Sequence, residues 1–480
     1  MKGFDKEVCL RLPLAEAALR MLDYVCQEEF LEAVFARHHG RSYEDVLTFA
    51  TLVRLVSDAL LEYEGSGRQA FERARETGEL DTVPRAVYGK LARVPLCLSL
   101  GLLAEAMTRL NELYPPAVAE KAVPRSLRKL EVVYHDGKTI KHVAKRLKVL
   151  RQYLGKVLGG KLLVSRSLRT GMAVCMVADE DGESGESKLV PAAVAQVRAC
   201  LPGPFLHVGD RGFCDLKQTA LFTEEDDHFL VRWNQKLHFH RDTSRPIVTG
   251  FDAAGRMYKE DWGWIGQPDD PRRRFVRRIR LKRGAGEEEI ILLTDLVDTE
   301  IYPASDLLQV YLERWGIERM SQKVTEVFHL KSLIGSSPRA TVFQASFCFL
   351  LHNVIQVMRA YIAEGQRLAP KEISSENLFE DVHRQLTAWT EMLSDEATVA
   401  LLSTGEESGT LQWCVPEVTW TAAQVVRRLQ SLLHDQWSEL WRKAKNKKPP
   451  PPHPKNKYPK GGHTSVYRVI RDTRLDAAKA

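Results

Sequence analysis

The feature that most constrains this chain is a change of period near residue 129. Up to about residue 125, apolar residues recur at three-and-four spacing with few β-branched runs, and turn signals fall at "HHGRS", "YEGSGR" and "NELYPP". That is the spacing of packed helices. From 129, "LEVVYHDGKTI" alternates and reads as a strand ending in a DG turn, with "KLLVSRSLRT" and "MAVCMVADEDGESGES" as further strands. "VPAAVAQVRACLPG" is helical, "PFLHVGDRGFCD" a short buried strand running into a tight turn, "LKQTALFTEE" a helix and "DHFLVRW" another strand. Strands interleaved with helices predict an α/β fold around a central sheet.

Residues 234 to about 285 hold short β-like pieces and no helical period, which predicts a β-rich insertion before "EEEIILLTDL" returns to a core-strand pattern. At 480 residues, more than one domain is expected. The expected organisation is a helical N-terminal domain over 1–125, an α/β domain over 129–355 with the insertion at about 234–285, a helical region over 356–440, and a largely disordered, basic Pro/Lys-rich tail over 441–480. "TVFQASFCFLLHNVIQVM" is apolar but broken by Gln344, His352, Asn353 and Gln356, so it reads as a buried helix and not a membrane span. The N-terminus has no apolar run fit for a signal peptide, and the eight cysteines are scattered without a CxxC pair or metal-ligand spacing. A soluble, cytoplasmic protein with reduced thiols is expected. The net charge of +6 is mild, so an acidic partner has to be argued from local patches.

Three carboxylates stand out. Asp136 in "VVYHDG" and Asp210 in "FLHVGDRGF" each follow an apolar strand, and carboxylates at strand ends of open α/β sheets point into the crevice where sites form. The ordinary reading of "HDG" is a simple turn. The third comes from "YLERWGIERMSQKVTEVFHLK", residues 311 to 331. Wound at about 100° per residue, this stretch places Ile317, Met320 and Val324 on an apolar arc, with Tyr311, Arg314, Glu318, Gln322 and Thr325 opposite. Glu318 is central to the polar face, Glu326 lies at its side, and Glu313 falls on the apolar side, where a carboxylate needs a partner. The ordinary reading is a surface helix with an Arg314–Glu318 pair. Three oxygen ligands from two strands and a helix suit Mg²⁺ or Mn²⁺, and two such ions about 3.5–4 Å apart serve phosphodiester chemistry. No P-loop or zinc motif is present.

"VVYHDGKTI", "HVGDRGF" and "YLERWGIERMSQKVTEVFHL" resemble, in order, the three acidic motifs of the DDE transposases of bacterial insertion sequences. Within them they are most similar to the insertion-sequence-four family, with its Tyr-x2-Arg-x3-Glu-x6-Lys signature, matched by Tyr311, Arg314 and Glu318. The resemblance spans roughly residues 130 to 355. It implies an RNase H-like catalytic domain interrupted by a β-rich insertion, and cut-and-paste DNA transposition with two Mg²⁺ (or Mn²⁺) on Asp136, Asp210 and Glu318. It also implies a homodimeric synapse on double-stranded DNA, joining terminal inverted repeats to target, with Tyr311 and Arg314 on phosphate near the cleaved end. Where the family lysine would stand, this chain has Thr325; Lys331 is nearby, and Lys323 points about 120° away from Tyr311 on the wheel. Family members hold a flipped base on insertion aromatics, and Trp262 and Trp264, two apart, would share a face if extended; two sheet-core tryptophans are the alternative.

The helical N-terminal domain is read as binding the element's ends. Other DNA-contact candidates are Arg211 beside the second aspartate, and Arg278, Arg280 and Lys282 in "PRRRFVRRIRLKR", where alternation with Ile279 and Leu281 would put a basic row on one face of a strand. "IKHVAKRLKVLR" and the basic tail add positive charge, which gives salt-dependent, largely sequence-independent affinity for phosphate. Two rival functions stay open: a metal-dependent nuclease without strand transfer, and a catalytically idle DNA-binding descendant, against which the presence of all three acids argues.

Overall fold

Strand β1 (Glu131–Ile140) is the axis of the molecule. Its residues Val132, Val133, Tyr134 and His135 are all buried, the mark of a strand covered on both faces. In chain order the others are β2 (Lys156–Leu158), β3 (Gly160–Ser167), β4 (Ala173–Asp179), β5 (Phe205–Gly209), β6 (His228–Arg232), β7 (Phe239–Arg241), β8 (Val248–Phe251), β9 (Met257–Ile265), β10 (Arg274–Leu281), β11 (Ile290–Thr294) and β12 (His463–Ser465). They belong to a computed structural model that describes residues 12–42, 44–63, 65–141, 148–151, 153, 155–282, 288–326, 335–394, 420–443 and 462–479.

Ten strands form one sheet in the order β4-β3-β1-β5-β6-β11-β10-β9-β7, with β8 on β9. β3 runs antiparallel to β1 and β4 antiparallel to β3, while β5 and β6 run parallel to β1. This is the RNase H-like mixed α/β sheet expected from the sequence. The β-rich stretch before β11 forms no separate layer. It continues the same sheet, because β11 pairs antiparallel with β6 on one side and β10 on the other. Helix Val190–Cys200 covers one face of the sheet, through Val190, Ala193 and Val194 against Leu163, Phe229 and Val231. The other face lies under the long helix Pro338–Gly365.

The apolar stretch "TVFQASFCFLLHNVIQVM" sits in that long helix, the one helix among the described residues that is by itself long and apolar enough to cross a membrane, and it is buried in the protein core. Its polar residues have structural work. Asn353 accepts from Ala173 N at 2.8 Å and donates to Ala173 O at 2.9 Å, closing the start of edge strand β4. Asn353→Leu leaves both backbone groups buried and unpaired, so it is expected to cost about 2–4 kcal/mol, read as a fall in the urea midpoint.

The helices before β1 share their core with the sheet: Leu102, Leu103 and Leu110 of Leu96–Leu113 join Phe343, Phe347 and Val354. The first described helix, Pro13–Cys26, meets the far end of the chain. Gln385 Oε1 accepts from Leu14 N (2.8 Å) and Ala15 N (3.2 Å), and Arg428, on helix Ala422–Leu433, grips the buried Glu16 with two bonds of 2.7 Å. The expectation of a disordered tail is corrected over residues 462–479. There β12 pairs parallel with β2 and is followed by helix Val466–Lys479, anchored by Val466 and Val469 in the core. Residues 444–461, the Pro/Lys-rich run itself, and 142–147 of "IKHVAKRLKVLR" lie outside the described residues.

Candidate active site

Asp136 is not at a strand end. β1 runs straight through the Asp-Gly pair, with Asp136 opposite Val164 and Gly137 opposite Leu163 of β3. The expected DG turn gives way because β3 supplies a full antiparallel partner on that side. On the other side β5 pairs with β1 only as far as Tyr134↔Val208. The parallel register offset, Glu131 with Phe205, is 74 residues, the same as the separation of Asp136 from Asp210. Asp136 therefore stands level with Asp210, where β5 has ended and the ladder is open. Gly209 leaves room for the ring of Phe213, which a Cβ would meet at 2.8 Å. The Asp210 side chain accepts from Gly212 N at 2.7 Å, which fixes the turn Arg211–Phe213 after the strand.

The glutamate stretch is two helices, Ala304–Glu313 and Trp315–Glu326, meeting at Arg314. Arg314 keeps helical angles (φ −54°, ψ −34°), so the side-chain spacing of a single helix survives the break. Ile317, Met320 and Val324 are buried in the core, as the wheel predicts. The opposite face departs from the expectation of a solvated surface: Tyr311 and Arg314 are buried too. Tyr134 Oη donates to Val310 O at 2.9 Å, and Lys138 donates to Ser321 O, so β1 holds both helices from below. Glu313 finds its partner in Lys371 at 3.4 Å. The side chains of Lys323, Thr325 and Glu326, and all of Lys331, lie outside the described residues.

Glu318 is half-buried and accepts from Arg314 Nη2 at 2.8 Å. The carboxyl of Asp136 is pushed up to about 7, first by burial and then by the negative charge of Glu318, with Asp210 and Glu186 adding to it against the pull of Arg314. Asp136 is thus close enough to Glu318 and Asp210 to feel their charge. Burial on its own would lower Arg314, but Tyr311, Glu318 and Asp210 hold its pKa above the ordinary value. Its Nε and Nη1 are buried without a hydrogen bond among the described residues. Burial raises Tyr311 above the ordinary phenol range, with Arg314 opposing.

The acids do not close into a cage: among the described residues no three His, Cys, Asp or Glu side chains converge tightly enough to hold a metal ion alone. An oxygen-only donor set of carboxylates nonetheless fits Mg²⁺, which is commonly bound through one or two carboxylates plus substrate phosphates.

Sequence reasoning missed several neighbours. Glu186, in the acidic turn after β4, pairs with Lys161 at 2.6 Å and crosses Gly137 where a Cβ would stand. On the opposite face of β1, His135 bonds Ser165 (3.0 Å) and His207 (3.0 Å), and His207 bonds Asp227 (3.2 Å). Burial lowers the pKa of both histidines, so this rigid chain is neutral at its centre.

The other DNA-contact candidates are dispersed. Arg211 is half-exposed and paired with Glu288, which also takes Arg232 at 2.9 Å. Arg278 and Arg280 share a face of β10 as expected, with Lys282 one residue past its end, but Asp261, directly across from Arg278 on β9, takes Arg278 at 2.7 Å and Arg280 at 3.1 Å. Lys282 stays exposed. Just before them, Arg277 is 0% exposed and bonded to Glu260 at 2.5 Å. Trp262 is 6% exposed and donates to Val297 O at 3.1 Å, so it is a core residue, whereas Trp264 is 38% exposed with the Arg273 guanidinium 4.4 Å from its ring centre.

Where the parallel ladder of the mixed sheet opens, Asp136 and Asp210 stand level, and Asp136 feels the charge of Glu318. Residues 131–354, from the first residue of β1 into the long helix, match the family model described as "Transposase DDE domain". The match supports a DDE transposase, an enzyme acting on DNA, of a family that generally uses divalent metals. Among curated proteins none matches the chain.

Proposed function

We propose that this chain is a cut-and-paste transposase of the insertion-sequence-four type, which cleaves DNA at the ends of its own element and joins the freed 3′ ends to target DNA. The observation that supports the proposal is that Asp136 feels the charge of Glu318 and Asp210, which lie far apart in sequence. Asp136, Asp210 and Glu318 are the residues that would hold two Mg²⁺ or Mn²⁺. When bound, such ions activate a water or 3′-hydroxyl and stabilise the leaving oxygen.

The chain's own residues do the positioning. Arg314 orients Glu318, and its unbonded Nε and Nη1 are donors suited to a phosphate oxygen of the cleaved strand. Tyr311, buried beside it, keeps that guanidinium in place. The helical N-terminal region binds the terminal repeats, Lys282, Arg211 and Trp264 lie on the DNA-facing surface, and a homodimer holds both ends in one synapse.

The test is purified protein with Mg²⁺ and duplexes carrying the element's inverted repeats. Cleaved and joined products are expected, with both lost in Asp210→Asn. Cleavage of these duplexes with no joined product, even when pre-cleaved ends are supplied with target DNA, would establish a nuclease and sink the transposase reading. Arg314→Gln is expected to lower the cleavage rate by about 10²–10³-fold, the scale of losing one preorganised charge-stabilising donor, in a single-turnover assay.

A further inference from the structure

On the far side of the glutamate-bearing helix lies a pocket of about 280 Å³ that the cleavage reading does not use. Its walls come from the β3–β4 turn, the long helix Pro338–Gly365 and the face of Trp315–Glu326 that points away from Glu318. Arg166, Arg319 and Arg359 line it, and Lys371 stands at its mouth; the acids are Glu313, which Lys371 already pairs, and Glu376.

The cations inside are short of acceptors. Arg166 Nη1 and Arg359 Nε are both buried and make no hydrogen bond among the described residues. Arg166 has one backbone acceptor, Gly171 O, at 3.3 Å from its Nε. Two glycines keep the guanidinium groups uncovered. A Cβ on Gly316 would stand 2.9 Å from Arg166 Nη1. One on Gly171, whose φ of +72° already demands glycine, would stand 3.3 Å from Arg166 Nη2 and 3.7 Å from Arg359 Nη2. Burial, with Arg166 and Arg319 adding to it and Tyr114 opposing, brings Arg359 down to about 10, while Glu313 acts as a counter-charge on Arg166.

Buried like charges with spare donors persist where an anion completes them. We propose that this pocket is a phosphate-binding site, in which the guanidinium groups of Arg166 and Arg359 take the oxygens of one phosphate group, either a free phosphate or a phosphodiester of bound DNA. The site goes beyond the cleavage reading and is tested without divalent ions, so that its failure leaves the carboxylate assignment untouched and the reverse.

Inorganic phosphate and a labelled duplex lacking element ends are titrated separately against the full chain in EDTA, by calorimetry and by fluorescence anisotropy. Saturable phosphate binding that weakens at least tenfold in Arg359→Gln supports a small-anion site. A salt slope of duplex binding shallower by about 1 in Arg359→Gln, the contribution of one neutralised phosphate, supports the backbone source. Because Arg359→Gln alters a buried group, Arg319→Gln combined with Lys371→Gln is measured alongside, with a smaller loss of the same sign expected. Phosphate binding and salt slope both unchanged in a folded Arg359→Gln, or in the surface pair should Arg359→Gln not fold, would overturn the proposal.

Discussion

Asp136→Asn is expected to abolish DNA cleavage and, in the absence of divalent ions, to make the protein more stable. The two effects share one cause. In the folded chain the Asp136 carboxyl sits at about 7, against an ordinary 3.8, because burial and then Glu318 penalise its charged form. Each pKa unit is worth about 1.4 kcal/mol, so an ionised Asp136 costs on the order of a few kcal/mol. The sign follows from proton counting. Below the unfolded pKa both states carry the proton and the group contributes nothing. Between the two pKa values only the folded state holds it, so stability falls as pH rises, and above about 7 the full cost is present and constant. Asparagine removes this slope together with a carboxylate that the proposed chemistry needs. Thermal unfolding at pH 8 in EDTA should give a higher Tm for the variant, and Mg²⁺ should raise the Tm of the wild type while leaving the variant nearly unmoved. A variant no more stable than wild type in EDTA would falsify the crowded-carboxylate account.

Arg277→Met is expected to produce the largest loss of stability. Arg277 Nε meets Glu260 at 2.5 Å with both side chains buried, and its Nη1 donates to Tyr302 O at 2.6 Å, tying β10 to the loop that leads into helix Ala304–Glu313. Removing the guanidinium leaves a buried carboxylate with no counter-charge, at about 3–5 kcal/mol. Replacing both partners at once, Arg277→Met with Glu260→Leu, should recover most of that, since an apolar pair of similar volume needs no desolvated charge. Denaturation of the two single variants and the double variant forms the cycle. A double variant as unstable as Arg277→Met would show that the arginine's bond to Tyr302 O, and not the bare carboxylate, sets the cost.

Much of this was legible in the sequence, and what was not has a common reason. The switch from helical to alternating period marks where the sheet begins, and the apolar run before Asp210 is strand β5. The wheel separates Glu318 from Glu313 because Arg314 lies one turn before it, and that pairing exists. What local pattern could not show is which strand lies beside which. "HDG" looks like a turn until β3 pairs through it, and the basic run 271–283 looks like an open phosphate-binding face until Asp261 on the neighbouring strand neutralises Arg278 and Arg280. Arg277 and Glu260 are 17 residues apart, and nothing in either segment alone marks them as core. The buried chain from Ser165 through His135 and His207 to Asp227 likewise crosses three strands and a loop. Trp262 and Trp264 do share a face by period, yet only one reaches the surface.

The grip of Arg428 on Glu16 spans 412 positions of sequence. A ribosome adding about 5–20 residues per second leaves roughly 20–80 s between the appearance of the two partners. Throughout that interval the segment Pro13–Cys26 lacks the helix Ala422–Leu433, one of the elements that cover its apolar side in the folded chain. The nascent chain thus carries an unfinished hydrophobic surface for almost the whole of its synthesis, a target for holding chaperones.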